Sequence, residues 1–166
     1  MVSRSSDIPA IVVLPPVLVG GVLLIGVLLE LVWPRPLLPI VPARVLGGSI
    51  FVLSGLLAHI AQRAMRRAGT NVLPTQPTVA LVMDGPFRYT RNPLYVAACG
   101  VYLGVALWVN GLAPLLLFLP MALVLHWGIV RREEEYLSSK FGSEYAAYRA
   151  RVPRWIGRAR PSAPVA

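Results

Sequence analysis

Residues 112–130 read LAPLLLFLPMALVLHWGIV, and the chain then turns at once to RREEEY. An α-helix rises about 1.5 Å per residue, so about 20 residues cross a hydrocarbon core about 30 Å thick. The run carries no Asp, Glu, Lys or Arg, which makes it a membrane-spanning helix whose charged continuation leaves the bilayer. Three more apolar blocks lie upstream, at about 11–33, 45–62 and 94–109. Glycines interrupt the block at 45–62, and the block at 94–109 is short. Trp33, Trp108 and Trp155 fall near the expected interfaces, where amphipathic indoles settle. The expected fold is all-α: an integral membrane helical bundle of about four transmembrane helices with a cytoplasmic amphipathic C-terminal helix.

The composition agrees. Of 166 residues, 56% are hydrophobic and only 14% are charged, a balance at odds with a soluble domain. One domain over residues 1–160 is expected, with 157–166 as a flexible basic tail rich in Pro and Ala. The first block has only Arg4 as a basic residue before it and runs to Glu30 and WPRP without a small-residue cleavage site. It therefore reads as a retained helix and not a signal peptide. Pro15 and Pro16 belong in its first turn or kink it there, because proline lacks the amide donor that a helix interior needs.

Arginine placement orients the bundle. Arg63, Arg66, Arg67, Arg88 and Arg91 separate the second and third blocks, and Arg131, Arg132, Lys140, Arg149, Arg151, Arg154, Arg158 and Arg160 follow the fourth. Only Arg35 and Arg44 lie between the first two blocks, so both termini and the 63–93 loop are expected in the cytoplasm. The formal net charge of +9 then meets anionic lipid head groups and does not point to nucleic acid. A prokaryotic inner or plasma membrane suits so small a chain.

Several chemistries are not encoded. Cys99 lies within an apolar block with no basic neighbour in sequence, as a packing residue does. His59 and His126 are the only histidines, and no Cys and His spacing suits a metal. The glycine pairs at 20–21 and 47–48 sit inside apolar runs instead of after a strand, so they suit helix packing and not a dinucleotide.

Polar information is concentrated at two places. Residues 84–95, DGPFRYTRNPLY, combine turn residues with arginines and aromatics. Gly85 and Pro86 favour a turn, Asn92 is a natural helix N-cap and Pro93 fits the first helical position. Arg88, Arg91 and Tyr95 are not needed for capping, and a helix N-terminus beside arginines attracts a carboxylate or phosphate. After the fourth block, Arg131 and Arg132 stand three and four residues from Glu134, Glu135 and Tyr136, the spacing of helix-surface pairs. Tyr145, Tyr148, Arg151 and Trp155 recur at intervals of three and four, an amphipathic face able to fold back onto the bilayer surface or the protein.

LVMDGPFRYTRNPLYVA, an apolar hairpin and EEEYLSSKFGSEYAAYRARVPRW, in this order, resemble the isoprenylcysteine carboxyl methyltransferase and phospholipid methyltransferase superfamily of integral membrane enzymes. The likeness covers about residues 69–156, including the loop GTNVLPTQPT, while the first two helices match in character only. It implies methyl transfer from S-adenosylmethionine to a lipophilic acceptor: an isoprenylcysteine carboxylate, a phospholipid amine or another small lipophile. By position, the family's Arg-His-Pro-x-Tyr element falls on Arg91, Asn92, Pro93, Leu94 and Tyr95, with Asn92 departing from histidine. Its paired glutamates fall on Glu133 and Glu134, and its Tyr-x-x-Tyr-x-x-x-Val-Pro element ends in Tyr145, Tyr148, Arg151, Val152 and Pro153.

The resemblance thus implies a cofactor site of Arg91, Asn92, Pro93, Tyr95, Glu133, Glu134 and Tyr148. Glu134 is expected to orient the cofactor or accept a proton, and Arg151 to hold an anionic part of substrate or cofactor. His126 reads as a hydrogen-bonded packing residue, although its place on the Glu133 face leaves the acceptor path open to it. Neither metal nor nucleic acid is expected as a partner. Two other readings stand beside this one: a membrane reductase using a nicotinamide cofactor, and a non-catalytic scaffold or lipid-binding protein whose charges only snorkel.

Overall fold

The computed structural model describes residues 8–157 apart from residue 10 and residues 73–75, so nearly all of the expected tail at 157–166 lies outside the described residues. Among the described residues five α-helices follow one another: α1 (Pro15–Val32), α2 (Ile40–Arg67), α3 (Pro93–Trp108), α4 (Leu112–Val124) and α5 (Arg131–Arg151). A 3-10 turn, Gly85–Arg88, precedes α3, and a π-helical stretch, Leu125–Val130, joins α4 to α5. Among the described residues there is no β-strand. The fold is all-α, and among the described residues three helical runs, α1, α2 and the continuous Leu112–Arg151, are long and apolar enough to cross a membrane; α3 is apolar but shorter.

Pro15 and Pro16 open α1, as expected. α2 extends past its apolar block in both directions, and Arg63, Ala64, Met65, Arg66 and Arg67, beyond Gln62, are all good helix formers. Its 28 residues span about 42 Å, which carries Arg66 and Arg67 beyond the hydrocarbon. The same arithmetic takes α5 out of the bilayer. Its first four residues are Arg131, Arg132, Glu133 and Glu134, so the span ends near Val130.

α2 packs closely on α3 through glycine. A β-carbon at Gly47 would meet the Trp108 nitrogen at 2.5 Å, and one at Gly104 would meet the Phe51 nitrogen at 2.7 Å. Gly20 and Gly21 differ from the expectation, for a β-carbon at either would meet nothing within 4 Å. α1 instead rests on α4 through Gly26, whose added β-carbon would lie 2.7 Å from the Pro114 Cα. Tyr102, Met121, Leu125, Ile129 and Val130 form the centre of the bundle, with the Tyr102 hydroxyl donating to the Pro114 carbonyl at 2.8 Å.

The end of the bundle that carries the α1–α2 and α3–α4 turns is tied by two buried polar side chains. Glu30 accepts from the backbone amides of Arg35 and Ala113, which satisfies a free donor at the start of α4. Asn110 occupies the turn between α3 and α4 with φ 57°, and its amide accepts from Leu37 and Leu38 and donates to the Leu38 carbonyl. With this end closed by hydrogen bonds, the other is free to hold a site.

Candidate functional site

At that other end the chain doubles back. Gly142 breaks α5 with φ 51° and ψ −121°, a conformation open to glycine because it lacks a β-carbon. Tyr145, Tyr148 and Val152 then pack against Leu81, Met83, Leu137 and Phe141. Arg154 and Glu134, about 30 Å apart along a straight helix, are in direct contact: the arginine Nε and NH2 lie 3.0 and 2.8 Å from the carboxylate.

Residues 87–92 are stitched to this returning arm. The Tyr148 hydroxyl donates to the Phe87 carbonyl at 2.7 Å, the Arg91 amide to the Pro153 carbonyl at 3.0 Å, and both Thr90 Oγ1 and Asn92 Nδ2 to the Arg154 carbonyl at 3.0 Å. Asn92 stands at the N-cap position of α3 but its side chain caps nothing, in contrast to the sequence expectation. Pro93 has already removed one free amide from the first turn, and the Arg154 carbonyl claims the Asn92 side chain instead.

Glu134 is buried between two guanidiniums, Arg154 and Arg91, whose NH1 lies 3.2 Å from Oε1. Glu134, expected to pair with Arg131 on the helix surface, is held instead by this buried clamp, in which charge-assisted hydrogen bonds offset desolvation. The hydrogen bonds to Glu134 hold the Arg154 pKa above its ordinary value. His126 sits on the π-helical stretch and accepts from the Trp155 indole at 3.2 Å, a hydrogen-bonded packing role.

Glu133 has different company. Its Oε2 accepts from the Tyr95 hydroxyl at 2.6 Å, while its Oε1 has no hydrogen-bond partner among the described residues. Burial raises its pKa, the Tyr95 hydrogen bond opposes that rise, and Glu134 adds to it. Burial likewise pushes the Tyr145 phenol up to about 12. Arg91, only 8% exposed along its side chain, leaves Nε buried and unpartnered among the described residues.

Two cavities meet on this group. One, about 70 Å³, is bounded by Thr70, Asn71, Thr78, Leu137, Tyr145 and Tyr148. The other, about 380 Å³, lies between α1, α2 and α3 along Pro16, Gly20, Ala58, Met65, Ala98 and Val101, and includes Pro93 and Tyr95 in its wall. Arg91, Asn92 and Glu133 line both. Among the described residues no group of His, Cys, Asp and Glu is arranged to hold a metal.

Of the residues singled out in the sequence, Arg91, Asn92, Pro93, Tyr95, Glu133, Glu134 and Tyr148 thus converge. Arg151 does not join them. It is exposed, with Nε 3.4 Å from the Ala147 carbonyl of its own helix, and Arg154 provides the cation instead. The backbone turns extended at Val152 (φ −111°, ψ 129°), so the helical phase that would have brought Arg151 inward stops there. Pro153, which cannot continue a helix, was the signal that the face would change. Tyr145, whose hydroxyl lies 3.4 Å from Arg91 NH1, and Thr90 also belong to the site.

The sequence profile of the phospholipid methyltransferase family matches residues 42–144, from the start of α2 into the returning arm. The chain belongs to that family. An uncharacterized protein of Haemophilus influenzae is 35% identical over 63 residues, 38% of this chain and all of that protein. A protein-S-isoprenylcysteine O-methyltransferase of Schizosaccharomyces pombe is 39% identical over 80 residues, 46% of this chain and 32% of the yeast protein, so the match spans about a third of that relative. The isoprenylcysteine and phospholipid methyltransferase superfamily is therefore the right setting, and within it this is an integral membrane protein of a methyltransferase family. The matched region begins well upstream of residue 69 and includes most of α2, so α2 belongs to the family's common part.

Proposed function

We propose that the chain transfers a methyl group from S-adenosylmethionine to a lipophilic acceptor, at a site on the cytoplasmic side of the membrane. The observation that carries this reading is the meeting of two unlike cavities on Arg91, Asn92 and Glu133. The smaller one, the more polar of the two and lined by Arg91, Glu133, Asn71 and two tyrosines, suits a water-soluble zwitterion, and the larger apolar one, walled by helices that face lipid, suits an acceptor arriving sideways from the bilayer.

The residues fit such a donor. Arg91 Nε is a buried donor without a partner, suited to a carboxylate, and Tyr145 and Tyr148 supply flat walls able to face a cation. When bound, S-adenosylmethionine supplies a methyl group on a positively charged sulfur, open to in-line displacement. The protein's part is alignment and exclusion of water, which such a displacement rewards more than covalent catalysis. Glu134 keeps Arg91 and Arg154 in place and is a positioning residue. At about 70 Å³ this smaller cavity falls below the roughly 300–1,000 Å³ usual for ligand sites, so donor binding displaces part of its wall. The segment carrying Thr78 to Ala80 is one such wall, held by hydrogen bonds from its backbone amides to Thr70 Oγ1 and the Tyr136 hydroxyl.

The arginines at 63, 66, 67, 88 and 91 support a cytoplasmic position for this end, and a prokaryotic inner or plasma membrane remains part of the same proposal. Calorimetry of the purified protein with S-adenosylhomocysteine tests the reading, with binding expected in the wild type and weakened in Glu134→Gln. No binding by a folded wild-type sample overturns it. Tritiated methyl transfer, as against hydride transfer from a nicotinamide, separates it from a reductase.

A further inference from the structure

Adjacent carboxylates in this site have opposite availability. Both oxygens of Glu134 are taken by Arg91 and Arg154, and Glu134 lines neither cavity. Glu133 lines both cavities, one oxygen is fixed by Tyr95, and the other is free. We infer that Glu133 Oε1 accepts the proton of the methyl acceptor, and that the acceptor therefore presents its nucleophile as X–H, an amine, hydroxyl or thiol, and not as a carboxylate.

This rests on the methyltransferase reading above and narrows its substrate class. Tyr95 aims the carboxylate, because a hydroxyl donating to Oε2 leaves Oε1 as the accepting atom. A carboxylate acceptor needs no base and would set a second negative charge beside Glu133 in an apolar chamber, where like charges repel strongly. Arg91 and Arg154 carry two positive charges against the two negative ones of Glu133 and Glu134, so an acceptor carboxylate would be left without a compensating cation. In the step, X–H gives its proton to Oε1 and the freed lone pair bonds to the donor's methyl carbon. The carbon–sulfur bond breaks with its electron pair returning to sulfur, leaving a neutral thioether and the methylated acceptor. A protonated amine loses one proton in the same way before it attacks.

The test uses full-length protein in nanodiscs of neutral lipid, with dodecylamine, dodecane-1-thiol and dodecanoate as probes. Displacement of a lipophilic fluorophore, without any donor present, reads cavity binding; Gly20→Phe, which fills the chamber where a β-carbon meets nothing within 4 Å, shows that the signal comes from it. Wild type is expected to take dodecylamine in preference to dodecanoate, and Glu133→Gln, which keeps an acceptor for Tyr95, to lose that preference. With S-adenosylmethionine added, methyl transfer to the amine or thiol is expected to fall by about 10²-fold or more in Glu133→Gln while affinity for S-adenosylhomocysteine stays within threefold. Equal binding of amine and carboxylate by the wild type, or methylation of dodecanoate, overturns the inference. So does a Glu133→Gln protein that has lost S-adenosylhomocysteine, because Glu133 would then serve the donor. Wild type that fails to bind S-adenosylhomocysteine at all instead overturns the methyltransferase reading.

Discussion

Asn92 and Glu134 organise the site without the roles their sequence neighbourhoods suggest. Asn92 stands where the superfamily element has histidine, and its Nδ2 ties α3 to the returning arm through the Arg154 carbonyl. An imidazole nitrogen can donate in the same way, so Asn92→His is expected to keep S-adenosylhomocysteine affinity. Asn92→Leu removes the donor and leaves the carbonyl to Thr90 alone, with an expected loss of about 1 kcal/mol in unfolding and a clear fall in affinity, read by thermal unfolding and calorimetry. Glu134→Ala is expected to be harsher, at about 3–5 kcal/mol, because it strands Arg91 and Arg154 without their shared anion. If thermal unfolding instead shows a loss below about 1 kcal/mol, the clamp does not form as described.

At the scale of elements, membrane spans were legible and the turn back was not. An uncharged run such as 112–130 has few fates other than a buried helix, so length and composition decide it. Gly142 carries no such signal, since an isolated glycine in an amphipathic stretch is equally compatible with a straight helix. The tyrosine spacing did foretell a face that folds back, and Tyr145 and Tyr148 are on it. Extending the same spacing to Arg151 failed, because periodicity holds only while the backbone stays helical and it leaves helix at Val152. Glu133 and Glu134 were legible as a pair, but their division was not, for it depends on Tyr95 and Arg154 from distant parts of the chain. Gly142→Ala tests whether the turn makes the site. A β-carbon there meets nothing within 4 Å, so any effect comes from backbone strain at φ 51°, expected at about 1–3 kcal/mol. S-adenosylhomocysteine affinity should fall with it, since Arg154 reaches Glu134 only through this bend.

For the whole molecule, the distribution of small residues separates what holds the bundle from what keeps it open. Gly47 and Gly104 sit where α2 and α3 nearly touch, so their missing side chains permit close packing. Gly20 has the same residue type in an equally apolar run, yet its missing side chain borders the chamber between α1, α2 and α3. Sequence cannot distinguish these uses, because both read as glycine in a membrane helix. Substitution can. Gly47→Phe would drive a ring into the Trp108 backbone and is expected to lower the unfolding temperature sharply or prevent purification. Gly20→Phe is expected to leave unfolding within about 1 kcal/mol of wild type, since the ring enters open space in a helix that tolerates it. It should also leave S-adenosylhomocysteine affinity unchanged, because Gly20 does not line the smaller cavity, while blocking methylation of long-chain acceptors. Unimpaired transfer to a long-chain acceptor in Gly20→Phe would mean that the acceptor enters by another route, whereas loss of donor affinity would mean that the two cavities form one compartment.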